Sequence, residues 1–569
     1  MKKKYLCYLA TVALISASRL GFARGNDKGN PTQPKDSRPN IVLILADDLG
    51  FSDLNCYGGE INTPNLNYLA NNGVRFTQFY NTSRSCPSRA SLLTGLYNHD
   101  AGIGEMTTDN GEPGYRGYIT ENTVTLAEVL KSAGYHTAMS GKWHVSNTTV
   151  QPTPAEQLSW LNHHSEHPLF SPLQQYPVNR GFEKYFGTIW GVVDYFDPFS
   201  LVSGTTPITK VPDNYYHTDA INDTAAAYIR EFSKDKKPFF LYVAENAPHW
   251  PLMALPEDIE KYKDSYKGGW EEIREARYNR LVKLGIIDST RAKLSPRWKD
   301  DLRWKDNPHK EWDARAMAVH AAMIDRMDQG IGRIIAALRE TGQLENTLII
   351  FLSDNGCSAE DAAAYGPGFD RPSETRDGRK IVYATGKEVL PGPETTYSSL
   401  GQRWANVANT PFRYWKAESY EGGIHTPCIA FWPKGIKAKK GGLTSHVGHV
   451  MDFMATFTEI AHASYPTVYN GHEITPMQGK SLLPAFKTKK NDSERPLFNE
   501  HFGSKYVRYE GWKLVKGSME KSWHLYRISD DETEINDLSF QYPQKVRELD
   551  AMWQQWAAGH HVLHVKKNQ

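Results

Sequence analysis

Hydrophobic positions along the chain fall into two textures. Four short runs, 41–46, 135–140, 239–244 and 347–352, are rich in apolar residues, lack regular alternation and are closed by polar or turn residues. That is the pattern of strands buried on both faces, as in a parallel sheet. Between them the period lengthens to that of helices. Thr125 and Glu128 form a capping-box pair ahead of Leu126, Val129, Leu130 and Ala133, and Gly134 supplies a stop. Over 314–340, Met317, His320, Ile324, Met327, Ile331, Ile334 and Leu338 recur at three- and four-residue spacing before Gly342. Strands alternating with helices predict an α/β domain with a large mixed, mostly parallel sheet sandwiched by helices.

Other stretches read differently. Residues 256–312 are charged and Trp-rich, as expected of an insertion over the sheet. Residues 356–411 are rich in Gly, Pro, Ser and Thr without a period, the texture of a binding loop or lid. From about 492 come short alternating runs and a last amphipathic stretch, 543–558, predicting a small antiparallel sheet packed on one helix. No internal repeat is evident. The expected division is 1–24 as a targeting segment, 25–39 as a flexible leader, 40–490 as the main domain and 491–569 as a small C-terminal subdomain.

Composition narrows the function classes. Of the 569 residues 23% are charged and 40% hydrophobic, which excludes a disordered or fibrous chain. Lys+Arg 66 against Asp+Glu 65 leaves a net charge of +1, so no global field draws the chain to nucleic acid or an anionic membrane. Lys2-Lys3-Lys4, an apolar run and then small residues read as a secretory signal, predicting an exported protein, periplasmic or secreted. Cys7 sits inside the apolar run rather than after a small-residue box, which gives a lipid anchor little support. No run is long enough for a stable membrane span. Cys56, Cys86, Cys357 and Cys428 are too few for a disulfide framework and read as buried thiols.

The chemistry gathers at strand ends. Each of the four runs is followed by ionisable or amide side chains: Asp47-Asp48, then Lys142 and His144, then His249, then Asp354-Asn355. Ligand crevices in open α/β sheets lie at the carboxyl ends of the strands, so these groups are expected to converge. Three carboxylates brought together repel by ~4 kcal/mol per pair at 4 Å with an effective dielectric near 20. A cation is therefore expected among them, and a ligand set of carboxylates and an amide oxygen selects a hard one, Ca²⁺ in preference to Mg²⁺. Lone examples of such residues are ordinarily structural, and His320, on the apolar helical stripe, reads as core.

The most specific segment is Ser85-Cys86-Pro87-Ser88-Arg89, followed by Leu92, Thr94 and Gly95. Pro87 suits a first helical turn, placing Ser85 at a helix N-terminus, where an anion is favoured. This segment resembles the signature of the formylglycine-dependent sulfatases, serine type, arylsulfatase-like branch, on the alkaline-phosphatase-like fold. Counting back from Pro87, Arg89 and Gly95 puts the modified position at Ser85 and makes Cys86 the variable residue. The resemblance covers nearly all of the chain after the leader. It extends to Asn40 to Gly50, Gly141 to His144, the stretch Asn409 to Lys416 with Glu421-Gly-Gly, and the C-terminal Trp512-Lys-Leu-Val and His524-Leu-Tyr. It departs at His425, where relatives often carry Arg.

The resemblance implies a catalytic domain at 40–490 and an exported sulfatase whose Ser85 is oxidised by a serine-competent maturase to formylglycine. It implies one Ca²⁺ held by Asp47, Asp48, Ser85, Asp354 and Asn355. A hydroxyl of the aldehyde hydrate attacks sulfur, with Asp354 as proton acceptor. Arg89, Lys142 and Lys416 neutralise sulfuryl charge, His249 protonates the leaving oxygen and His144 takes the proton that ejects sulfate. Sulfated carbohydrate is the expected substrate, a terminal sulfated galactose of mucin-type glycans among the options. Segments 190–196 and 99–106 read mostly as core packing and are also where aromatic contacts to a sugar face are sought. Two alternatives stay open: a phosphomonoester or phosphonate hydrolase on the same scaffold, and an inactive glycan-binding homologue with unmodified Ser85.

Overall fold

Asn40–Ala46 forms a strand with parallel neighbours on both sides, Thr347–Ser353 and Phe239–Ala244, and every one of its residues is buried. The computed structural model describes residues 37–165, 169–297, 302–487 and 495–563. The signal-like segment and the leader as far as residue 36 lie outside them. Among the described residues the main sheet has ten strands. Their order is Gly442–Thr444, Val74–Phe76, Cys428–Phe431, Thr347–Ser353, Asn40–Ala46, Phe239–Ala244, His136–Gly141, Lys184–Thr188, Leu201–Ser203 and Thr206–Pro207. The central five are mutually parallel, while antiparallel pairings involve Cys428–Phe431 on one flank and the last two strands on the other.

The unbroken apolar runs have a direct cause. Val42, Ile44 and Ala46 face one core, shared with the helices His217–Phe232 and Lys310–Glu340. Ile41, Leu43 and Leu45 face the other, under Ser85–Thr94, Leu126–Ser132 and Asp452–Ile460. Each fully buried aliphatic side chain contributes roughly 1.5–3 kcal/mol, so neither face tolerates a polar residue. The Thr125–Glu128 capping box is present, opening the helix Leu126–Ser132.

Register positions the site. Ala46 pairs with Ser353, Leu45 with Ala244 and Gly141 with Ala244, so four strands end level with one another. Gly141 is indispensable there: at φ 109, a β-carbon would stand 1.9 Å from the Ala244 carbonyl oxygen. The chain continues straight into Lys142.

Several elements lay beyond the sequence pattern. The long helix begins at Lys310, four residues before the expected start. The loop-like 356–411 stretch contains a helix, Gly401–Ala408. Within 256–312 lie the helices Pro256–Glu260 and Gly269–Lys283. His320 is buried but not in an apolar setting, since its Nε2 lies 3.1 Å from Asp53, which also pairs with Arg277 at 2.6 Å.

The C-terminal sheet orders Leu497–His501, Ser504–Tyr509, Trp512–Lys516 and His524–Arg527 antiparallel. The helix Pro543–Gly559 packs on it through Leu549, Trp553 and Trp556. Tyr420 and Ile424 of the main fold enter the same core. The four cysteines named above are free and buried. No helix among the described residues is long and apolar enough to cross a membrane.

Candidate active site

Ser85 opens the helix Ser85–Thr94, with Pro87 in its first turn and Gly95 as the left-handed C-cap at φ 74. Arg84 before it is extended, which turns the Ser85 side chain toward the strand ends. Its Oγ lies 3.1 Å from Asp47 Oδ1 and 3.2 Å from Asn355 Oδ1. Asp47 and Asp48 follow the strand Asn40–Ala46, and Asp354 and Asn355 follow Thr347–Ser353. Asn355 Nδ2 donates to Asp48 Oδ1 at 2.6 Å, and the Asp48 amide donates to Asp354 Oδ1 at 3.3 Å. Asp48 sits at φ 62, a conformation a non-glycine residue adopts at some cost.

Three cations meet these three carboxylates. Lys142 Nζ lies 2.5 Å from Asp47 Oδ2. Arg89 forks onto Asp354 Oδ2 through Nε at 3.2 Å and Nη2 at 2.8 Å, and braces the Lys142 carbonyl through Nη1. Lys416 Nζ lies 2.9 Å from Asp48 Oδ1, 3.0 Å from His249 Nε2 and 3.5 Å from Glu360. His249 Nδ1 lies 2.5 Å from the Trp250 carbonyl, which can only accept, so Nδ1 carries the proton and Nε2 faces the cluster. Tyr195 Oη anchors the same turn on the carbonyls of Asn246 and His249.

Protonation follows from burial and partners. Burial opposes charge on Asp47, but Lys142, His249 and Arg89 hold its carboxyl well below the usual range. Burial and then Asp47 push Asp354 up to about 7 despite Arg89 and Lys142. Burial and then Lys416 lower His249 to about 4. Burial, Lys142 and Arg89 push His144 well below the ordinary imidazole range. Burial works against charge on Lys416, yet Asp48 and Glu360 keep it above an ordinary lysine.

His144 stands at φ 54 with its ring against Gly191, where a β-carbon would come within 2.3 Å of it. Its Nδ1 is buried without a partner among the described residues. Ser85, His144, His249 and Lys416 line one cavity of about 360 Å³.

The donor set fits a hard divalent cation. Asp47, Asp48 and His249 present ligand atoms within 4.8 Å of one another, and Asp354, Asn355 and Ser85 adjoin them. Carboxylate and amide oxygens predominate, with no thiolate among them, as Ca²⁺ and Mg²⁺ require. The cluster's three acids and three basic side chains balance, so a bound dication would leave an excess positive charge for an anionic ester.

Residues 39–463 match the family model described as Sulfatase. The chain belongs to the sulfatase family. It is 33% identical over 471 residues to an arylsulfatase of Klebsiella aerogenes, a match covering 80% of this chain and 93% of that protein. It is 31% identical to an uncharacterized sulfatase of Schizosaccharomyces pombe, covering 92% and 94%. A solved structure in complex with its substrate D-glucosamine-2-N,6-O-disulfate superposes with a TM-score of 0.58 at 22% identity, covering 94% of this chain and 100% of that one. This sulfatase accordingly has the alkaline-phosphatase-like fold and is a sulfuric ester hydrolase.

The sequence reading of the walls divides. Trp190 and Met106 reach the cavity, whereas Tyr195 is core and His99 is buried against Glu500 at 3.1 Å. The sequence reading had not singled out Arg84, Trp250, Glu360, Tyr365, Phe369, Asp370 or Arg371, all of which line it. Trp250 and Arg84 adjoin His249 and Ser85 in sequence and could have been found that way; the rest come from a segment without a period. His425 sits outside the cavity lining, stacked on Phe412 and holding Glu421 at 2.9 Å and the Thr77 carbonyl at 2.8 Å.

Proposed function

We propose that this sulfatase removes O-sulfate from a terminal sugar of a glycan, using formylglycine made from Ser85 and one Ca²⁺. The observation that carries this reading is a cavity lined by Ser85 and Lys416 together with the aromatic rings of Trp190, Trp250, Tyr365 and Phe369. Lys142 and Arg89 lie buried behind it, paired with Asp47 and Asp354. The sugar-bound relative at full coverage supports a carbohydrate substrate.

Ca²⁺ held by Asp47, Asp48, Asp354 and Asn355 would supply Lewis acidity and charge beside residue 85. Formylglycine there would contribute a hydrated aldehyde, a stronger nucleophile than serine, which is weak at its free pKa. The remaining work falls to the side chains. Lys142, Lys416 and Arg89 orient the sulfuryl oxygens and stabilise their charge. Asp354, oriented by the Arg89 fork, is the carboxylate assigned to accept the proton from residue 85. His249 Nε2 faces the leaving oxygen, and the negative ester raises its proton affinity as it binds. His144, held neutral, is the base on the opposite wall. Export through segment 1–24 would place the enzyme with extracellular glycans, mucin-type sulfated galactose among them.

The test is enzyme co-expressed with a serine-competent maturase and assayed on O-sulfated monosaccharides, 4-nitrophenyl sulfate and 4-nitrophenyl phosphate. Sulfate release from a sugar, with sulfate preferred over phosphate, is expected. A phosphate preference, or activity on aryl sulfate alone, overturns the reading.

A further inference from the structure

The segment 360–371 carries Glu360, Tyr365, Phe369, Asp370 and Arg371 into the cavity. Its tip is a tight turn in which Gly368 and Arg371 exchange both backbone hydrogen bonds, at 2.8 and 2.9 Å. Phe369 occupies the left-handed region at φ 52, costly for a bulky residue, and the residue is 48% exposed. Gln157 Nε2 pins its carbonyl at 2.5 Å. A strained backbone that holds an apolar residue half in water at a cavity mouth gains nothing for the fold.

The next two residues add the complementary polarity. Arg371 Nη1 pairs with Asp370 Oδ1 at 2.5 Å, its Nε donates to the Gly366 carbonyl at 2.9 Å, and its guanidinium lies 5.2 Å over the Tyr365 ring. The fork is fixed, and Nη2 takes part in neither of those two bonds. Burial pushes Asp370 up to about 6, and it feels both Lys142 and Glu360. Donor and acceptor thus stand side by side, with the guanidinium over the Tyr365 ring.

We infer that the turn 368–371 reads the unsulfated part of the substrate. Phe369 covers a pyranose face, Asp370 accepts a hydrogen bond from one ring hydroxyl, and Arg371 donates to its neighbour. Adjacent hydroxyls present a donor and an acceptor at the spacing a carboxylate–guanidinium pair offers, whereas an aryl leaving group presents neither. The sulfate is gripped at the cavity floor, so this turn discriminates between leaving groups. The inference rests on the sugar-sulfate reading above.

Matured wild type, Asp370→Asn and Arg371→Lys are compared on the best sulfated monosaccharide and on 4-nitrophenyl sulfate. For each variant the ratio of kcat/KM on sugar sulfate to that on aryl sulfate is expected to fall about tenfold or more, mainly through KM. A deoxy-sugar sulfate lacking the hydroxyl read by Asp370 should show no such fall for Asp370→Asn. Equal losses on both substrates, or a loss confined to kcat, would show a merely structural turn and overturn the inference. If wild type hydrolyses sugar sulfates and both variants keep its ratio, the inference fails while the sugar reading survives. Wild type active only on aryl sulfate removes both.

Discussion

Lys142 Nζ lies 2.5 Å from Asp47 Oδ2, and solvent reaches neither side chain. Breaking such a pair from one side leaves a buried charge uncompensated. Lys142→Met is therefore expected to lose about 3–5 kcal/mol of stability, read from the denaturant midpoint. Its kcat/KM on aryl sulfate should fall at least about a hundredfold. A variant as stable and active as wild type would remove this contact from the account of the site.

Ser85→Ala should fold normally and turn over no faster than background, a loss of about 10⁴-fold or more. Cys86 faces the apolar layer with its sulfur 3.4 Å from the Glu105 carbonyl, so Cys86→Ala should retain turnover within a few-fold. Mass spectrometry of the matured peptide should find two hydrogens missing from residue 85 and none from residue 86.

Chelation should inactivate the enzyme and lower its melting temperature. Restoring Ca²⁺ at a hundred times its dissociation constant should return about 2.7 kcal/mol of stability. The calorimetric readout is independent of turnover. Asp48→Asn should flatten that response, and full thermal protection by Mg²⁺ with none by Ca²⁺ would reverse the choice of ion.

Burial pushes the Glu245 carboxyl up to about 8 against the lowering pull of Asn222, which donates to it at 2.7 Å. Its other oxygen is buried without a partner among the described residues. A carboxyl raised on folding adds stability that is whole below the unfolded value of about 4.5 and disappears as pH climbs through about 8. Glu245→Gln should therefore melt close to wild type at pH 5 and above it at pH 8. A constant difference across that window would show that the group does not titrate as described.

The central strands were legible because burial on both faces makes them nearly continuous apolar runs, and their ends were legible because ionisable residues follow at once. Asp47, Asp48, Lys142, His249 and Asp354 converge for one reason, the level register of four parallel strands. Short flanking strands such as Lys184–Thr188 have too few residues to carry a pattern. The helix Gly401–Ala408 is hidden among turn-forming neighbours. Cavity walls drawn from 360–371 depend on backbone turns and single pairings, which leave no period to read.

Lys416 depends on a neighbour far along the chain. Its segment is tied down by the Ser419 amide donating to Ser504 Oγ at 2.8 Å and by Lys513, which reaches Glu421 at 2.8 Å and Glu534 at 2.7 Å. The four-stranded C-terminal layer is thus a foundation for the ammonium that pairs with Asp48, and no detachable appendage. Clipping the polypeptide ahead of residue 495 would leave the ten-stranded scaffold its own core yet let that ammonium drift from Asp48. Under the proposed mechanism, tail integrity and turnover are for this reason one property.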